Sequence, residues 1–438
     1  MGFTQVFRAA GCGALTGALL FASAPLVAAD QIRDIQWALK ALNSESVWKL
    51  SQGSGVVVAV IDTGVNADHI DLKGNVLQGK DFLNGGSATP EPGPGVDHGT
   101  AMASIIAGHG HGTNEGVTGL APKAKILPIR DYGTKGTGLS ASIRYAVDHG
   151  ASVINASECF DSSDQDELDK TNDAVAYALK HDVLVVGSSG NDSDKGGKCY
   201  PAASPGALGV GAVKNDGYIW EGSNPGDFVS LTAPGTNIVS AKGTGNGYRS
   251  GTGTSDSAAY VSAAAALLRS KFPDLTAGQI ANRLVKTAAL PDSEKGLSLP
   301  NKSYGYGIIQ PLAALKDSMP AGSKYGPLTV PESLKEKSST SSLGDSDEDQ
   351  AQADQKAVII WAVIGVVGLA VIGLIVLLIV KRSRRRSNDS GAPDNPPAYL
   401  HYTQQPGQPQ QSSYQQHVSP QQDPYQQPTQ QGHWPPQQ

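Results

Sequence analysis

Apolar residues in this chain come in short dense runs rather than in an even alternation with polar ones. VVVAVID, Val56 to Asp62, is continuous and β-branched, which suits a strand buried on both faces. AKILPIR, ASVINAS and DVLVVGSS repeat the theme further along. Between these runs the period changes. Ile143, Ala146 and Val147 fall on one helical face, as do Leu168, Val175, Ala178 and Leu179. Strands alternating with helices predict an α/β fold, a parallel sheet with helices on both faces, continuing to about Leu315. Before the first strand, Ile32, Ile35, Leu39 and Leu42 predict one short amphipathic helix that includes Trp37. Near the end of the domain, GTGTSDSAAYVSAAAALL runs from a glycine-broken turn into an alanine-rich apolar helix, with Ser255 at the junction.

The two ends of the chain follow other patterns. Residues 1–29 read as a signal peptide: Arg8, then an apolar run, then small residues at Val27-Ala28-Ala29. A membrane anchor is the competing reading. An N-terminal extension fills 30–52 and the main domain 53–316. Residues 317–356 are rich in Ser, Asp and Lys and read as a linker. Residues 357–380 form a run of 24 without a charge, enough for a helix of roughly 36 Å across a hydrocarbon core of about 30 Å. The basic cluster Lys381–Arg386 follows it, and the acidic stretch Asp345–Asp349 precedes it, which places the C-terminus in the cytoplasm. The expected topology is single-pass, with residues 30–356 outside and a disordered Pro/Gln-rich tail inside, over 387–438.

Charge and cysteine content narrow the options. The net charge of −6 argues against a nucleic-acid partner. Three cysteines become two once the signal is removed, Cys159 and Cys199. In an exported domain an even pair suggests a disulfide, with two free thiols as the alternative.

Four polar residues stand where chemistry can collect. Asp62 ends the first strong strand, in VIDTG. His98 opens DHGTAMASIIAG, Asn191 follows a buried strand in SSGN, and Ser255 sits in GTS before a helix. Taken singly, each suits a turn or a helix cap. Together they supply a set of roles. A serine hydroxyl needs a base, and the base needs a buried acid to fix its tautomer. The tetrahedral intermediate needs donors for its oxyanion, such as an asparagine amide and a backbone N–H at a helix start.

VIDTGV, DHGT, SSGN and GTS, in the order Asp, His, Asn, Ser, resemble a subtilisin-type serine protease over about residues 53–315. The resemblance implies that Asp62 orients His98, His98 is the base, Ser255 attacks and Asn191 binds the oxyanion. It implies a peptide substrate paired as a strand near Gly136, Gly138 and Ser157. It also likens His69, in HIDL, to a structural histidine of the family. A narrower resemblance rests on RDIQWALKAL, the Cys159/Cys199 pair, AAYVSAAAALL and the C-terminal apolar run. These are similar to mycosins, membrane-anchored subtilases associated with bacterial type VII secretion. That implies partners in the cell membrane and among type VII secretion components. No cofactor is required by this reading, and structural calcium stays open. His109 and His111, in GHGHG, could bind a metal but read better as a flexible loop.

Three positions depart from the family pattern. Asp97 and Ser104 stand where glycine is usual, and Asp256 follows the nucleophile where an apolar residue is favoured. At about 6 Å and an effective dielectric near 20, Asp256 would oppose the oxyanion by roughly 3 kcal/mol. The expected activity is an endopeptidase acting on exported proteins at the outer membrane face. The alternative is a weakly active or inactive relative that binds and stabilises a membrane secretion complex.

Overall fold

The computed structural model describes residues 32–335, except 94, 132–138, 161–163 and 196. Gly136, Gly138, the signal, the apolar run 357–380 and the Pro/Gln-rich tail lie outside the described residues. Among the described residues no helix is long and apolar enough to cross a membrane.

Seven strands form the main sheet: β1 (Val57–Asp62), β2 (Lys80–Asp81), β5 (Lys125–Arg130), β6 (Val153–Ala156), β7 (Leu184–Ser188), β8 (Leu208–Val213) and β9 (Val229–Pro234). All pair in parallel, in the order β2-β5-β1-β6-β7-β8-β9. Two antiparallel hairpins stand apart, β3 (His109–His111) with β4 (Glu115–Thr118), and β10 (Ile238–Ala241) with β11 (Tyr248–Gly251). Strand order turns back at β1, which lies between β5 and β6. Its carboxyl end is therefore a topological switch point, where α/β sheets place their ligands.

Helices cover both faces of the sheet. One face carries α3 (His98–Ala107), α6 (Thr254–Lys271), α7 (Ala277–Thr287) and α8 (Pro311–Lys316). The other carries α4 (Leu139–Asp148) and α5 (Gln165–Lys180). Helix α6 is apolar nearly all round, and every residue from Thr254 to Arg269 is buried. Such a helix belongs in the middle of a core. It packs on β6 to β9 and against α3, α7 and α8. Its alanines leave no bulky ridge, so the neighbouring layers pack close around it.

Three expectations need correction. The single N-terminal helix is broken: a helical turn at 32–34 stops before Ile35, and α1 (Trp37–Ala41) and α2 (Ser44–Trp48) are parted by Asn43, left-handed at φ 56°. Ile35, expected on the apolar face, is 53% exposed. This segment is bonded into the domain: the Trp37 indole donates to Thr236 O at 3.0 Å, and Trp48 to Leu120 O at 2.9 Å. Part of the stretch assigned to a linker from residue 317 is packed on the domain: Leu328 is buried and Tyr325 packs against Gly278. The GHGHG segment is the β3–β4 hairpin, not a loose loop. His111 Nδ1 bonds the buried Asp71 carboxylate at 2.6 Å, and the Val117 N–H donates to the other Asp71 oxygen at 2.8 Å. Among the described residues no group of three or more His, Cys, Asp or Glu side chains could hold a metal ion.

Candidate active site

Asp62, Ser157 and Asn191 follow or end three neighbouring strands, β1, β6 and β7. Adjacent strands lie about 4.8 Å apart, so these positions share one edge of the sheet. Asp62 is fully buried. The VIDTG turn beyond it accepts the start of α3 at close range. A Cβ on Gly99 would lie 2.3 Å from Gly64 O, so only glycine admits this approach. The Thr63 hydroxyl accepts from the Gly99 N–H at 3.0 Å and donates to Gly95 O at 3.1 Å.

This packing sets His98 on Asp62. The imidazole Nδ1 lies 2.8 and 2.9 Å from the two carboxylate oxygens. An ionised carboxylate only accepts, so Nδ1 carries the proton and Nε2 is left as the basic nitrogen. Burial pulls the imidazole pKa down. The Asp62 charge and hydrogen bond, with the Asp256 charge, outweigh burial and the opposing Arg249, and the net direction is up.

Ser255 is the second residue of α6 and is 6% exposed. The first N–H groups of a helix have no partner within it, and the cap residue Gly253 offers no side-chain bond. Asn191 projects beside them. Its Oδ1 accepts from the Thr254 N–H and the Thr254 hydroxyl, both at 2.9 Å. That fixes which end of the amide is oxygen and leaves the NH2 end to face a ligand. The turn before it requires glycine: Gly190 has φ +104°, and a Cβ there would lie 2.3 Å from the Asn224 amide nitrogen.

The Ser255 hydroxyl donates to Ser157 O at 3.2 Å rather than to His98. Ligand-free sites often carry such long or misdirected bonds, which tighten on substrate. Ser157 is held from behind, since its hydroxyl accepts from Asn155 Nδ2 at 2.8 Å, and Asn155 Oδ1 accepts from Ser262 at 3.0 Å. Cys159, two residues on, is joined to Cys199, and Phe160 pairs antiparallel with Tyr200. The disulfide thus closes the strand end at Ser157 against the loop that follows Asn191.

Asp256 is 3% exposed, and its Oδ1 has no hydrogen-bond partner. Burial pushes its pKa up to about 6, against the pull of His98 and Arg249. Asp62, His98, Ser157, Asn191 and Ser255, all singled out in the sequence, come together at this edge, whereas Thr254, Asn155, Asn224 and Arg249 were passed over. Thr254 had a signal, its place beside Ser255 in GTS. Asn155 and Arg249 lie close in sequence to Ser157 and Asp256 but in segments with no motif to mark them, and Asn224 lies 32 residues from Asp192, whose N–H it accepts.

The sequence matches the subtilase family over residues 53–307. The chain belongs to the subtilase family. It is a serine protease related to the mycosins. Mycosin-1 of Mycolicibacterium smegmatis is 31% identical over 364 residues, covering 68% of this chain and 76% of that one. Mycosin-1 of Mycobacterium tuberculosis is 32% identical over 380 residues, covering 71% and 80%. The crystal structure of MycP1 from Mycobacterium smegmatis superimposes with a TM-score of 0.57 at 29% identity, over 67% of this chain and 88% of that one.

Proposed function

We propose that this protease cleaves peptide bonds through Asp62, His98 and Ser255, with Asn191 and the Ser255 N–H receiving the oxyanion. The observation that carries the reading is the His98–Asp62 bond, which leaves Nε2 as the basic nitrogen of a site that also holds Ser255 at a helix start. His98 takes the Ser255 proton as the hydroxyl oxygen attacks the scissile carbonyl. The resulting imidazolium is stabilised by Asp62 and returns the proton to the leaving amine. The substrate runs past Ser157 as a strand; Gly136 and Gly138, expected to bind it too, lie outside the described residues.

The chain is held at the cell membrane by residues 357–380, with the protease outside and residues 381–438 in the cytoplasm. The uncharged run and the basic cluster after it support this. Exported proteins are then the substrates within reach. The mycosin relatives, among them MycP1 from the ESX-1 type VII secretion system, support a place beside such a system. No cofactor takes part in this mechanism. Structural calcium is a separate matter, and Asp71 has both carboxylate oxygens engaged within the protein.

A fluorophosphonate probe should label the full-length chain and fail to label Ser255→Ala. A folded parent that stays unlabelled would favour the alternative, an inactive relative that serves as a binding partner. External protease on intact cells should remove the domain and spare an epitope placed after Gln438.

A further inference from the structure

The three departures from the family pattern face one hairpin, β10–β11. Asp97 Oδ1 accepts from the Gly243 N–H at 2.7 Å. Ser104 Oγ accepts from the Ala241 N–H at 3.0 Å while donating to Ala101 O at 2.8 Å. The neighbouring turn adds further ties: Asn66 Nδ2 donates to Gly245 O at 2.9 Å, and Asn246 Oδ1 accepts from the Ile70 N–H at 2.9 Å. His69 Nδ1 accepts from the Asp71 N–H, so its Nε2 donates to Gly247 O at 3.1 Å. The hairpin is thereby fixed to α3 and to the loop after β1. It carries Arg249 toward the third departure, Asp256. A Cβ on Gly251 would lie 2.8 Å from Arg249 Nη2 and 3.5 Å from Asp256 Oδ1. Guanidinium and carboxylate therefore flank the bare face of one glycine, and that carboxylate oxygen is buried with no hydrogen-bond partner.

We propose that Arg249 is a positioning residue of this protease, whose guanidinium closes over Gly251 onto Asp256 and supplies the counter-charge that lets an acid stand beside the nucleophile. The inference rests on the triad reading above. Substrate displaces water from the cleft, and the lower dielectric strengthens attraction across the gap. Unopposed, the Asp256 charge would resist the oxyanion at Asn191 and hold the proton on His98. The charged groups facing His98 are Asp62, Asp256 and Arg249, and those facing Asp256 are His98, Arg249 and Asp62. Tyr260, one turn further along α6, faces Asp256 as a neutral phenol.

The test is the rate of fluorophosphonate labelling against pH in full-length protein, as a double-mutant cycle of Arg249→Gln and Asp256→Asn. Arg249→Gln should slow labelling about 10- to 50-fold. It should also move the rising limb to higher pH, because losing a positive charge favours protonated His98. Arg249→Lys should recover most of the rate. In the Asp256→Asn background, Arg249→Gln should cost less than about 3-fold and leave the limb in place. Gly251→Ala fills the gap without altering a charge and should reproduce the slowing. Equal slowing in both backgrounds, or an unmoved limb, overturns the role of Arg249. An unlabelled parent would instead fail the triad reading, and this inference with it.

Discussion

The starts of α3 and α6 bring their side chains to the same edge of the sheet but are held in opposite ways. At α3 the polar groups are paired within the protein. Asp62 takes the His98 ring and the Thr63 N–H at 2.7 Å, and Thr63 takes Gly99. At α6 the pairing is incomplete. Gly253 caps with no side chain, the Ser255 hydroxyl rests on a neighbouring carbonyl, and Asp256 Oδ1 has no partner. In the proposed mechanism the base is oriented before substrate arrives, whereas the nucleophile and its donors wait for one. A group whose task is orientation gains from saturation. Donors meant for a transition state gain from being left open, because only bonds formed there lower the barrier.

The largest test removes the open side altogether. Ser255→Ala should lower turnover by about 10^6, the scale known for subtilisin, another subtilase, without loss of fold. Near-parental turnover in a peptide assay would refute the assignment. Next comes the brace behind that side. Replacing Cys159 and Cys199 together by alanine opens a loop with a sequence separation of 40. The chain-entropy model puts the loss at about 4 kcal/mol, to be read from denaturant unfolding.

Asn191→Ala should then cost about 10^2- to 10^3-fold in kcat with little change in KM, again the scale of the subtilisin oxyanion asparagine. A pure rise in KM would mean that Asn191 binds the ground state instead. The smallest effect concerns Asp256. Its folded pKa of about 6 lies above the ordinary aspartate value, so the folded chain holds this proton more tightly than the unfolded one. Stability from this group is therefore present at low pH and is lost as pH rises from about 4 to about 6. Asp256→Asn should raise unfolding free energy by about 1–3 kcal/mol at pH 8 and leave it unchanged at pH 4. An equal gain at both pH values would mean that charge is not the cause.

The residues of the proposed triad were legible because each sits where an apolar run meets glycine, and such junctions need no partner to be seen. Strands β8 and β9 were not singled out, because glycines in LGVGAV and the polar Ser230 and Thr232 in β9 thin the apolar signal. Asp97 and Ser104 could be recognised as unusual but not explained. Their hairpin partners lie 146 and 137 residues away, and no local pattern reports such a pairing. The split between α1 and α2 was hidden for a different reason. The apolar spacing runs on through Leu42, and only the left-handed Asn43 breaks it.

The central place of α6 has a consequence for how the chain is made. Synthesis proceeds from the N-terminus, so β1 through β9 emerge before this helix does. Until residue 271 is available, one face of the sheet lacks its central helix, and Ser51 lacks the Leu267 carbonyl to which its hydroxyl donates at 2.8 Å. The same helix carries Ser255. The proposed nucleophile and the core are therefore completed in one event, and a chain that has not yet formed this helix has no assembled site. Chains ending at residue 250 should be digested readily by added protease, and chains ending at 335 should resist it.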